Sequence, residues 1–145
     1  MRDQTHAMAT GQLQDTRIAR LQVASILAGG GAGALARAGV AEVLPHSGGS
    51  WPWATFAVNL AGTALLAWLT TRLDEILPPS RYVRLILATG LCGALTTFST
   101  FQIEVLRLAK DGYPGTAVGY AAASLAAGMA IAIAATVVAR RRRYG

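Results

Sequence analysis

Four long apolar runs, separated by short polar clusters, occupy most of the chain. They extend roughly over residues 18–44, 53–71, 82–108 and 116–139. At a rise of about 1.5 Å per helical residue, each is long enough to cross a bilayer core of about 30 Å. Charged side chains gather at the N-terminus, around Arg72 to Arg84, near Arg107 to Asp111 and in Arg140-Arg141-Arg142-Arg143. This pattern predicts an all-α membrane protein with four transmembrane helices in one domain, residues 18–139. Residues 1–17 are polar and unpatterned and are expected to be a disordered tail; residues 140–145 form a basic C-terminal tail. The first apolar run is too long for a signal peptide and three more follow it.

The third run is the unusual one. Its centre, Gly90-Leu91-Cys92-Gly93-Ala94-Leu95-Thr96-Thr97-Phe98-Ser99-Thr100-Phe101, is rich in Gly, Thr and Ser, poor material for a helix facing lipid. The run predicts that the third helix is broken near its middle. Backbone groups freed at membrane depth cost on the order of several kcal/mol each unless protein, water or an ion satisfies them. The break is therefore the first place to look for function.

Composition sharpens this picture. Of 145 residues, 53% are hydrophobic and only 14% charged, where a soluble domain carries about a quarter charged; the mean hydropathy is +0.42. The net charge of +6 sits at the ends of apolar spans, where it reads as topology signal and lipid-headgroup contact rather than as nucleic-acid binding. The single Cys92 has neither a disulfide partner nor a metal-ligand motif around it, and neither His6 nor His46 lies in a constellation of Cys, Asp or Glu.

Polar residues inside the spans are the remaining candidates. Gly29 and Gly33 have the spacing that lets helix backbones approach closely, and no strand or Gly-Lys-Ser/Thr accompanies them to support a nucleotide loop. Arg37, at the end of the first span, is either a snorkelling arginine or an attractor of anions in an aqueous vestibule. Trp51 and Trp53 mark an interface. Asn59, with Thr55 one turn earlier on the same face, either joins helices by hydrogen bonding or offers a donor to a permeating anion. In the fourth span Tyr120, Ser124 and Gly128 recur every four residues, putting hydroxyls on one face of a helix otherwise suited to close packing. Glu104 lies near the C-terminal end of the third span. Four short helices leave little room for a pathway within one subunit, so an oligomer is expected.

These residues resemble a known family. Gly90 to Glu104 is similar to the signature of the Fluc/CrcB fluoride channels. Ala54 to Gly62 resembles that family's second-helix motif, Gly31 to Arg37 its first, and Tyr120 with Ser124 its fourth. The likeness covers roughly residues 24–138. Ala38 stands where the family usually has an aromatic, and Ala64 and Ala67 replace a commoner Phe and Gly. The resemblance implies an antiparallel dimer with two pores, passing fluoride passively out of the cytoplasm, and no enzymatic activity. It implies that Phe98, Phe101 and Asn59 line the ion path with Thr55, Tyr120, Ser124, Ser99 and Thr100 as polar wall. It also implies that the backbone carbonyls of Gly93 and Thr96 hold a structural sodium ion at the dimer axis. For Glu104 a hydrogen-bonded or ion-paired helix end is preferred to proton coupling.

The physics of the ion is consistent with this. Fluoride is small and tightly hydrated, so it crosses only where donors such as Asn, Ser, Thr and Tyr replace water in steps. The positive edges of Phe rings add weak stabilisation without a deep well. The alternative is a small proton-coupled multidrug exporter, which needs a membrane-embedded carboxylate; the first span has none in its interior, its one carboxylate, Glu42, standing at the end. With four spans both termini share a side. Ten of the thirteen Lys and Arg residues lie on it, against Arg37, Arg107 and Lys110 on the other. That bias predicts cytoplasmic termini in a plasma-membrane protein, and raises a heterodimer with an oppositely oriented homologue beside the homodimer.

Overall fold

Hydrocarbon offers a backbone no partner but itself, so long apolar runs close their hydrogen bonds as helices. The computed structural model describes residues 2–75 and 81–141. In chain order it contains α1 (Arg2–Val43), α2 (Trp53–Glu75), α3 (Arg81–Val83), a π-helical segment (Arg84–Cys92), α4 (Gly93–Leu95), α5 (Phe98–Lys110) and α6 (Pro114–Arg141). Among the described residues, four stretches are long and apolar enough to cross a membrane: Thr16–Val43, Trp53–Leu73, Arg81–Lys110 and Pro114–Arg141.

The chain is helical from Arg2, through the segment expected to be a disordered tail. Once the apolar span is helical, each residue added at its end gains a hydrogen bond without a new nucleation cost. Residues 2–17 contain no proline and several good helix formers. At the other end α6 takes in Arg140 and Arg141, placed by the sequence in a basic tail. The loop expected before the third span lies partly in residues 76–80, and the rest of that tail in 142–145, both outside the described residues.

Backbone contact sets the packing of α1 against the π-helical segment. A Cβ at Gly29 would collide with the Ile86 carbonyl, one at Gly33 with the Leu91 carbonyl, and one at Gly90 would lie 2.7 Å from the Ile26 oxygen. The small-residue spacing in the first span thus serves contact with the third. α2 packs on α6 and on the π-helical segment, and α5 on α6. Two small cores result: Leu69, Leu73 and Cys92 form one, and Leu108, Ala117 and Tyr120 the other.

Between α4 and α5 the helical path lapses. Thr96 (φ −79°, ψ 152°) and Thr97 (φ −146°, ψ 118°) are both extended. The Thr97 hydroxyl then caps α5, accepting from the Thr100 N–H at 3.2 Å, the role a threonine plays well just before a helix. Thr96 turns its hydroxyl back to donate to the Cys92 carbonyl at 2.9 Å. Gly62 of α2 makes room for this turn, because a Cβ there would strike the Thr96 methyl group.

Candidate functional site

Two clusters gather most of the candidate polar residues of the spans. The first is built on Asn59 and Thr97. The Thr97 N–H donates to Asn59 Oδ1 at 2.8 Å, and Asn59 Nδ2 donates to the Thr97 carbonyl at 3.1 Å. One amide side chain of α2 therefore replaces, for this residue, both halves of the hydrogen bonding that a helix would supply. The diversion has a consequence upstream. In a continuous helix the Thr97 N–H would bond the Gly93 carbonyl, and the Phe98 N–H the Ala94 carbonyl. The first of these donors is committed to Asn59. The Ala94 carbonyl instead accepts from Arg37 Nε at 3.1 Å. Arg37 is half-buried and compensates a carbonyl released by the extended turn, so its structural task is visible and distinct from anion attraction.

Beside this pair lies an open groove of about 620 Å³, whose wall includes Asn59, Thr96, Thr97, Phe98, Phe101 and Ser124. Phe98 is 69% exposed and stacks on Phe101, with ring centroids 6.0 Å apart and planes at 28°. The Ser124 hydroxyl is buried and has no hydrogen-bond partner. The rest of the lining is Thr63, Thr70 and apolar side chains of α2 and α6. The groove thus combines an aromatic pair, one amide and one buried unpartnered hydroxyl with a wall of threonine and aliphatic side chains.

The second cluster is closed. Glu104, 7% exposed, accepts from the Thr55 hydroxyl at 2.7 Å on Oε1 and from the Tyr120 hydroxyl at 2.9 Å on Oε2. Tyr120 is fully buried, and its ring packs against Phe101 at 5.2 Å and Trp51 at 5.5 Å. Glu104 also touches a smaller pocket of about 220 Å³ shared with His46, Arg107 and Asp111. Phe101 is the shared element, with one neighbour ring in each cluster.

Of the candidates from sequence, Asn59, Thr96, Phe98, Phe101 and Ser124 meet at the groove, while Thr55 and Tyr120 turn to Glu104. Ser99 and Thr100 line neither cavity and surround the Thr97 hydroxyl, at 3.3 and 3.0 Å. Gly93 is exposed, with open space where a Cβ would stand. Thr97 is the residue that sequence reasoning passed over. Its signal was local: a threonine directly before a helix start, with a second hydroxyl at Thr100 three positions on.

The fold and these clusters define a small multi-pass helical membrane protein with its polar chemistry held within the spans. Within that class, the chain belongs to the CrcB family: the family described as CrcB-like protein, Camphor Resistance (CrcB), matches residues 24–136. It is 46% identical over 122 residues to fluoride-specific ion channel FluC 1 of Mycolicibacterium paratuberculosis, covering 84% of this chain and 92% of that protein. It is 43% identical over 113 residues to fluoride-specific ion channel FluC of Chlorobaculum tepidum, covering 78% and 90%. The protein of the same name from Acidobacterium capsulatum is 43% identical over 114 residues, covering 78% and 91%.

Proposed function

We propose that the chain is a subunit of a fluoride-selective channel through which fluoride leaves the cytoplasm down its electrochemical gradient. The observation that carries this reading is the groove itself, a largely apolar wall with threonines, an aromatic pair, an amide and an unpartnered hydroxyl at membrane depth. Asn59 Nδ2 gives one proton to Thr97 and has a second to offer, and the Ser124 hydroxyl has its only proton free. Phe98 and Phe101 present ring edges, which attract an anion weakly enough to release it. The extended Thr96–Thr97 link serves as the functional break of the third helix. Thr55 and Tyr120, committed to Glu104, back the path from behind Phe101, with Ser99 and Thr100 supporting the turn.

A groove open along one side needs a second wall. Phe98, Leu125 and Met129 are each 69% exposed, and an oppositely oriented second subunit covering them would convert the groove into a pore, giving two pores per dimer. Gly93 is open to such a neighbour. Its carbonyl, deprived of the Thr97 donor, and that of extended Thr96 are hard oxygen ligands suited to a sodium ion. In that role the ion would satisfy backbone oxygens at the dimer axis. The charge bias of ten basic residues against three favours termini on the cytoplasmic side and a heterodimer with an oppositely biased homologue. Glu104, occupied by two hydroxyl donors, is absent from the groove lining, which disfavours the proton-coupled exporter.

The test is efflux from liposomes holding the purified protein, recorded with fluoride and chloride electrodes. Rapid, electrically driven fluoride loss without chloride loss is the expected result. Absence of fluoride flux, both from the folded chain alone and with an oppositely oriented homologue, would refute the channel reading.

A further inference from the structure

The groove runs along one face of α2, which presents Asn59, Thr63, Ala67 and Thr70 to it at helical spacing. It therefore continues from Asn59 towards the end of the bundle where α2 and α6 finish, beside Arg72, Arg140 and Arg141. The threonines of α2 differ in what their hydroxyls do. Thr55 donates to Glu104. Thr70 donates to the Leu66 carbonyl and Thr71 to the Ala67 carbonyl, each at 2.8 Å and one turn back. Such back-bonding is how a threonine within a spanning helix satisfies its proton without outside help. Thr63 does not do so. Its hydroxyl has no partner among the described residues. Nor is it one of the unpartnered groups sealed from solvent, as the Ser124 hydroxyl is, and the residue is half-buried on the groove wall. A hydroxyl unpaired at membrane depth is costly unless something in the groove accepts from it.

We infer that Thr63 is a further step of the anion path, its hydroxyl donating to fluoride on the side of Asn59 nearer the end of α2. The inference rests on the channel reading above and adds a residue to it. Three observations select an anion as the occupant. The free group is a proton donor that can turn towards an acceptor in the groove. Thr63 stands one turn from Asn59, about 6 Å along the helix axis, so an ion can gain the second donor as it leaves the first. No charged side chain lines the groove among the described residues, so a neutral donor there holds an anion without trapping it. The arginines at the end of α2 and α6 raise the local concentration of anions that reach this step.

The test compares initial fluoride efflux from liposomes holding the full-length wild type, Thr63→Val, Thr63→Ser or Thr71→Val, with thermal unfolding of each in detergent. Thr63→Val keeps the side-chain shape and loses the hydroxyl. Its efflux should fall about three- to tenfold, as for one lost hydrogen bond in the path, with unfolding unchanged because no bond within the chain is lost. Thr63→Ser restores the donor and should stay within about twofold of the wild type. Thr71→Val, whose hydroxyl is committed to Ala67 and lies outside the groove lining, should leave efflux unchanged. Thr63→Ala carries the same expectation as Thr63→Val and serves if that variant does not fold. Wild-type efflux from Thr63→Val, beside a fall in Phe98→Ile, would overturn this inference and leave the channel reading standing. Equal losses in Thr63→Val and Thr63→Ser, or a loss that follows thermal stability, would also overturn it and assign Thr63 to packing. Absence of fluoride efflux from the wild type, with or without an oppositely oriented homologue, would overturn both.

Discussion

The Glu104 cluster and the Asn59 groove are built from similar residues and end in opposite states. At Glu104 each carboxyl oxygen has a hydroxyl donor, the tyrosine ring is sealed among aromatic neighbours, and helices α2, α5 and α6 are tied at one point. At the groove the hydrogen bonds close on the backbone of Thr97, while a buried hydroxyl and an exposed phenyl ring remain. A buried polar group without a partner costs about 1–3 kcal/mol. The chain completes one cluster and leaves the other open, so its structural polarity is spent at Glu104, and the proposed function rests on what the groove leaves unpaired.

Substitution at the shared residue should disturb both clusters most. Phe101→Ile removes the Phe98 stack and the Tyr120 contact together. Fluoride efflux should fall about tenfold or more and thermal stability by about 1–2 kcal/mol, read by electrode and by thermal unfolding in detergent. A variant with full flux would separate Phe101 from the path. Glu104→Ala should break the closed cluster alone, costing roughly 2–4 kcal/mol by leaving the Thr55 and Tyr120 hydroxyls without an acceptor. Glu104→Gln, which keeps one acceptor oxygen, should recover about half of that. Equal stability of both variants with the wild type would show that the hydroxyls have other partners available.

Smaller effects should sharpen the contrast. Arg37→Ala releases the Ala94 carbonyl, so it should cost about 1–2 kcal/mol and slow flux without altering the preference of fluoride over chloride. A change in selectivity would instead place Arg37 in the path. Ser124→Ala loses no hydrogen bond within the chain and removes an unpartnered buried hydroxyl, so stability should stay level or rise by up to about 1–3 kcal/mol. Its effect should appear as a reduction in flux of a few-fold, and a large loss of stability would assign Ser124 to packing.

The sequence made the four spans legible because length and apolarity decide membrane insertion with little help from tertiary context. It also made the irregular region legible, because Gly, Thr and Ser at positions 93–100 weaken a helix wherever they occur. The start of α1 was missed, since a polar segment reads as disordered until it is attached to a helix already nucleated. The π-helical segment left no local signal. Its neighbour α1 touches it through Gly29, Gly33 and Gly90, and only the packed pair shows this. Which polar residue meets which was equally hidden. Thr55 and Asn59 share a helix face, yet one reaches Glu104, 49 residues on, and the other Thr97, 38 residues on.

The central claim is that ions pass along the groove rather than through the closed cluster, and Phe98 isolates it best. Its ring is largely exposed, so Phe98→Ile removes a groove wall with little loss of burial. The decisive measurement is the initial fluoride efflux rate of Phe98→Ile in liposomes, beside wild type of matched incorporation and stability. The account predicts a fall of about tenfold or more with unfolding unchanged. Wild-type efflux from the variant would contradict it.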